Sequence, residues 1–123
     1  MYKALFTITG LFAIALGILL LVAPSVYLSL YTTAYTPAMD FPAERLAPVI
    51  VGVGCLLLLA RDLPAGPFAA RFAFLVGLVW FGVAAQGAFH FATGAYKPAL
   101  LVAAGIEVAL GLAFLLAARH HRA

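Results

Sequence analysis

Charge is scarce in this chain: eleven of its 123 residues are ionised at neutral pH, seven of them lysine or arginine and four of them carboxylates. An ordinary soluble domain carries about a quarter charged residues, so a water-facing surface cannot be assembled from this composition. Cysteine is nearly absent. Cys55 stands alone, which excludes an intrachain disulfide and leaves it as a small apolar filler inside a hydrophobic run. No Walker-type loop, G-x-S-x-G elbow, H-E-x-x-H or C-x-x-C occurs, so the common soluble catalytic motifs have no foothold. Gly52-Val53-Gly54 lies within an apolar run, without the strand, turn and further glycines of a dinucleotide motif. The net charge of +3 is too dispersed for a nucleic-acid surface.

What the chain has is hydrophobic length. It is 67% hydrophobic with a mean hydropathy of +1.16. A bilayer core about 30 Å thick needs about 20 apolar helical residues. Four runs qualify, at about 4–23, 41–60, 68–92 and 98–118, and together they predict one all-α membrane domain over residues 1–123, a four-helix bundle. Pro24 closes the first run, because proline lacks the amide a continuing helix would use. That run is too long for a signal-peptide core and no A-x-A cleavage site follows it, so it reads as a retained span. Asp40 and Pro42 open the second run as cap and first-turn proline, and Arg61, Asp62 and Pro64 end it. "LPAGP" and Thr93-Gly94 bound the third, and "RHHR" places cations at the carbonyl end of the fourth.

Lysine and arginine set the expected orientation. Lys3, Arg61, Arg71, Arg119 and Arg122 flank one side of the spans, against Arg45 and Lys97 on the other. The richer side is cytoplasmic, which predicts both termini inside and the segment between the first two runs outside, in the periplasm if the cell is Gram-negative.

Between the first two runs stands "PSVYLSLYTTAYTPAMDFPAE", longer than most helix connections. Tyr27, Tyr31 and Tyr35 recur every four residues and so share one face of a helix. A helix is favoured for the first part, since a lone strand at a membrane surface leaves its backbone unpaired. Two readings stay open: an interfacial aromatic belt, in which the rings sit in apolar surroundings and the hydroxyls stay wet, or a lid over a pocket opening at the outer leaflet.

Polar groups within the spans bear on the second reading. Glu107 lies about eight residues, or about 12 Å, below the outer end of the fourth run. Gln86 and His90 share a face in the outer half of the third run, with Gln86 near the depth of Glu107. Arg45, in the first turn of the second run, is within reach if it turns inward. A carboxyl group at that depth costs about 2.5 to 3.5 kcal/mol to insert, so it should face protein or water and have a partner. That partner is either structural, with Glu107 bonded to Gln86 or His90, or functional, a ligand or a proton path. His90, Glu107 and Glu44 lack the spacing of a metal site. Gly105, Ala109, Ala113 and Ala117 form a small-residue stripe on the fourth run, suited to close packing inside the bundle or against a second copy.

The segments "GILLLVAPSVYLSLY", "LAPVIVGVGCLLLLARDL" and "GVAAQGAFHFATG" resemble small bacterial four-helix membrane proteins of the DoxX-like group and related uncharacterised families. The resemblance spans most of the chain and rests on a proline after the first helix, glycines in the second before Ala-Arg, and a glycine after the third. It implies an inner-membrane four-helix bundle. Some such proteins are small subunits of quinone-linked sulfur oxidation or parts of redox-stress complexes, and no catalytic residue set carries over.

Three functions are therefore weighed. The first is a binding or accessory protein whose outer-leaflet pocket, lined by Arg45, Gln86, His90, Glu107, Tyr27 and Tyr31, takes a lipid or a quinone-like amphiphile. The second is a proton-coupled exporter using Glu107, although in small multidrug transporters the corresponding glutamate lies in the first helix, where this chain has none. The third is a small subunit of a membrane redox enzyme, with His90 and Glu107 as a proton relay.

Overall fold

The computed structural model describes residues 1–94 and 96–122. It is all-helical, with α1 (Tyr2–Val22), α2 (Pro24–Tyr31), α3 (Asp40–Ala60), α4 (Pro67–Thr93) and α5 (Ala99–His120), and a short 3-10 turn at Pro37–Met39 before α3. The helices α1, α3, α4 and α5 are each long and apolar enough to cross a membrane, so the chain has the make-up of a multi-pass membrane protein. Their limits fall within two residues of the sequence expectation at every end. The expected turn at 93–97 includes Ala95, which lies outside the described residues.

Local chemistry explains the breaks. α1 stops at Val22, Ala23 takes φ −143° and ψ 63°, and Pro24 starts α2 at a position whose amide would be unpaired in any case. α3 carries Pro48 in its interior and still runs 21 residues. Two threonines in the spans pair with their own helix: the Thr7 hydroxyl donates to the Lys3 carbonyl at 2.7 Å and the Thr93 hydroxyl to the Phe89 carbonyl at 2.9 Å.

The spans associate as two antiparallel pairs, α1 with α3 and α4 with α5. Small residues seven apart form the seam on every one of them. Gly10 and Gly17 on α1 meet Gly54 and Ala47 on α3, so closely that a Cβ added at Gly54 would lie 2.6 Å from the Gly10 carbonyl oxygen. On the other pair, Ala70, Gly77 and Ala84 of α4 face Ala104, Gly111 and Ala118 of α5, and all six are buried. A seven-residue repeat of small side chains lets helix backbones approach and keeps the seam in register along the length.

The two pairs join at the end that carries both chain termini. There Phe6 and Phe114, both fully buried, meet edge to face at 5.0 Å within a core completed by Tyr2, Leu57, Ala73 and Ala117. Trp80 packs on the edge of this core. Four contacts tie the chain ends to one another and to the α3–α4 loop. Tyr2 stacks on His121, the His121 ring Nε2 lies 3.2 Å from the Leu63 carbonyl, the Gly66 amide donates to the His121 carbonyl at 2.9 Å, and Lys3 pairs with Asp62 at 3.0 Å.

At the far end, the stretch at and after α2 spans the two pairs. The Lys97 amide donates to the Tyr31 carbonyl and its ammonium to the Ser29 carbonyl, both at 2.7 Å, and Thr32 and Tyr96 form an isolated β-bridge. The proposed stripe on α5 has a different place from the seam. Gly105 and Ala109 are exposed, Ala113 is half-buried, and a Cβ on Gly105 would meet nothing within 4 Å. The fourth member of the stripe, Ala117, is buried in the core beside Phe114, while the small residues of the α4–α5 seam are Ala104, Gly111 and Ala118, on another face of α5.

Candidate functional site

The tyrosine-rich stretch divides into two parts. Its first part is the helix α2, packed against α1, α3 and α5, with Tyr27 and Tyr31 on one side and both half-buried. Their rings meet edge to face at 5.1 Å. Tyr35 lies beyond the helix, where its hydroxyl donates to Asp40 Oδ1 at 2.7 Å and so ties the end of the stretch to the start of α3. That hydrogen bond raises the Tyr35 phenol above the usual tyrosine range, because the proton is held against a carboxylate.

Glu107 is half-buried on the side of α5 shared by Ala103, Gly111 and Phe114. It lies near enough to Tyr27 for its charge to act on the phenol. Burial, then Tyr31, then the Glu107 carboxylate push the Tyr27 phenol up to about 12. The paired phenols of Tyr27 and Tyr31 therefore lie where α2 packs on α5, with the Glu107 carboxyl group within electrostatic reach of Tyr27. Phenols supply O–H donors, and the carboxyl group supplies acceptors or, when protonated, one donor.

The other expected residues stand apart from this cluster. Gln86 is exposed on α4 and shares no hydrogen bond with Glu107. Arg45 is exposed on α3 with its guanidinium carbon 6.0 Å from the centre of the Phe41 ring, and forms no ion pair with Glu107. His90 is exposed at the end of α4, edge-on to Phe89 at 5.6 Å and to Tyr96 at 5.8 Å. Among the described residues, no three side chains of histidine, cysteine, aspartate or glutamate converge into a group able to hold a metal.

Two residues were not anticipated. Lys97, which the sequence offered only as a flanking charge, fixes α2 through Ser29, and Tyr96 pairs with Thr32 beside it. Their partners lie more than sixty residues away in sequence, and no local pattern marks such a pairing.

No protein-family model matches the chain, and no curated protein or solved structure matches it either.

Proposed function

We infer that this chain is a small membrane protein of binding or accessory type that receives the polar head of an amphiphile, a lipid or a quinone-like molecule, beside Glu107 under α2. The observation that carries this reading is the Tyr27–Tyr31 pair on α2 with Glu107 within electrostatic reach of Tyr27, in an otherwise apolar bundle. A carboxyl group in a span is costly unless something polar meets it, and the phenols of α2 can supply directional donors to a ligand held near it. The apolar faces of α1 and α5 offer a wall for a tail, and a site of apolar walls with a few convergent polar groups is the usual form of an amphiphile pocket. A quinone carbonyl can accept from a tyrosine hydroxyl, and a quinol hydroxyl can donate to the carboxylate.

The five-to-two distribution of basic residues supports an orientation with both termini in the cytoplasm and α2 at the outer leaflet of an inner membrane. In that orientation Tyr27 and Tyr31 would combine the two roles first weighed for them, an interfacial position and a cover over the site near Glu107. The resemblance to the DoxX-like group fits the same location and the same class of ligand. Extraction of the purified protein with organic solvent, followed by mass spectrometry, tests the proposal: a stoichiometric lipid or quinone is expected from the native chain, and its loss from a Tyr27→Phe, Glu107→Gln variant.

A further inference from the structure

The end of the bundle remote from Glu107 carries a second arrangement, which rests on none of the residues placed at the Glu107 site. An open groove of about 590 Å³ lies between α4 and α5, lined by Arg71, Arg119 and Arg122 and by the apolar side chains of Phe74, Leu115 and Ala118. The antiparallel seam explains this composition. With Gly77 against Gly111, Arg71 and Arg119 come to nearly the same level, and Phe74 and Leu115 lie about one turn deeper in the spans.

The three guanidinium groups have no carboxylate partner among the described residues. Four acidic side chains exist in the chain. Asp40 and Glu44 belong to the opposite end of α3, and Glu107 lies within α5 toward α2. Asp62, the one at this end, is held by Lys3 at 3.0 Å and Arg61 at 3.4 Å. A set of uncompensated arginines at the rim of a span, above an apolar slot between two helices, has the complementary shape and charge of a phosphodiester carried above acyl chains. Arginine suits that contact better than lysine, since its planar fork bonds two phosphate oxygens at once.

We propose that this groove binds one anionic phospholipid, with its phosphate among Arg71, Arg119 and Arg122 and an acyl chain along Phe74 and Leu115. A choline headgroup brings its own cation toward the three arginines and is disfavoured, so the site selects net negative charge. Both parts of the ligand contribute, and a soluble headgroup alone holds poorly.

The test uses the full chain in a neutral maltoside detergent, supplied in turn with phosphatidylglycerol, phosphatidylcholine and soluble glycerol phosphate. Retention is followed by native mass spectrometry and the unfolding midpoint by thermal melting. Phosphatidylglycerol is expected to be retained in preference to phosphatidylcholine and to raise the midpoint, with no effect from glycerol phosphate. Each of R71Q, R119Q and R122Q should weaken phosphatidylglycerol retention about fivefold, and Leu115→Trp, which fills the slot and keeps the charges, should weaken it as well. The matching lysine variants should keep most of the preference, which separates lost charge from lost folding. Equal retention of the two lipids, a preference that survives all three glutamine variants, or protection by glycerol phosphate equal to that of the lipid would each overturn the proposal.

Discussion

Tyr2 and His121, from opposite ends of the chain, stack with ring centres 3.9 Å apart and planes within 11° of parallel. Tyr2 also stacks on Phe6 at 4.4 Å, so the first turn of α1 is clamped between the core and the last residues after α5. With the bonds from His121 to Leu63 and Gly66, this contact joins the two helix pairs at that end.

The Tyr2 hydroxyl is buried without a hydrogen-bond partner, as is that of Thr9. The ring therefore stabilises the fold and the oxygen does not. Tyr2→Phe and Thr9→Val are expected to be neutral or stabilising, since each removes an unpaired buried polar group. Tyr2→Ala is expected to cost about 3 to 5 kcal/mol, the usual range for removing a buried aromatic ring. Reversible unfolding in mixed micelles measures all three, and a Tyr2→Phe loss as large as that of Tyr2→Ala would show that the hydroxyl has a partner.

Gly54 and Gly52 differ by two residues and point to opposite surroundings. A methyl group on Gly54 would lie 2.6 Å from the Gly10 carbonyl oxygen and 2.9 Å from the Ile14 amide nitrogen, whereas one on Gly52 meets nothing within 4 Å. Gly54→Ala should therefore force α1 and α3 apart at a cost of about 1 to 3 kcal/mol. Gly52→Ala should be neutral or stabilising by up to about 1 kcal/mol through helix propensity. The same unfolding assay reads both, and equal effects would contradict the close α1–α3 seam.

Two groups outside the spans give opposite pH signatures. Lys3 above all, with Arg61 adding to it, holds the Asp62 carboxyl below the ordinary aspartate value against the opposing effect of desolvation. The stabilisation from Asp62 is thus present above its unfolded value, about pH 4, and is lost as pH falls through the lowered folded value. Lys3→Gln should flatten this acid limb of the stability profile. Both side chains are largely exposed, so raising the salt concentration should flatten it too.

Tyr27 acts at the alkaline end. Its folded value of about 12 exceeds the unfolded value near 10, so its contribution is complete below pH 10 and is lost as pH rises through 12. Absorbance at the phenolate band should show a late-titrating tyrosine that disappears in Tyr27→Phe. In Glu107→Gln that transition should move to lower pH, and an unchanged transition would place the carboxyl group too far away to act on it.

Much of this architecture is legible in the sequence. Apolar length marks the four spans, and Pro24 together with the four-residue tyrosine spacing marks α2. Pairing is harder to read, because lipid is as apolar as a membrane protein's interior and hydrophobicity does not tell an inward face from an outward one. The informative signal was the seven-residue recurrence of small residues, Gly10 with Gly17, Ala47 with Gly54, and Ala104 with Gly111 and Ala118. The four-residue stripe Gly105, Ala109, Ala113 is more conspicuous on α5 and lies largely on an exposed face. For the site, matched depth suggested Gln86 beside Glu107, but depth leaves the angle around the helix free: Gln86 is exposed on α4, and the phenol that feels the Glu107 charge is Tyr27. Rotation depends on packing between helices distant in sequence, as does the reach of Lys97 to Ser29.

The central claim is that Tyr27 and Glu107 form the polar end of an occupied amphiphile site. Its most direct measurement is native mass spectrometry of the intact chain released from a mild detergent, for the native sequence, Glu107→Gln, and Glu107→Gln with Tyr27→Phe. The account predicts one lipid or quinone-like adduct per chain that weakens in the single variant and is lost in the double variant, while Arg71→Gln leaves this adduct in place. An adduct equally abundant in all of them, or none in the native protein across detergents that preserve its fold, would contradict it.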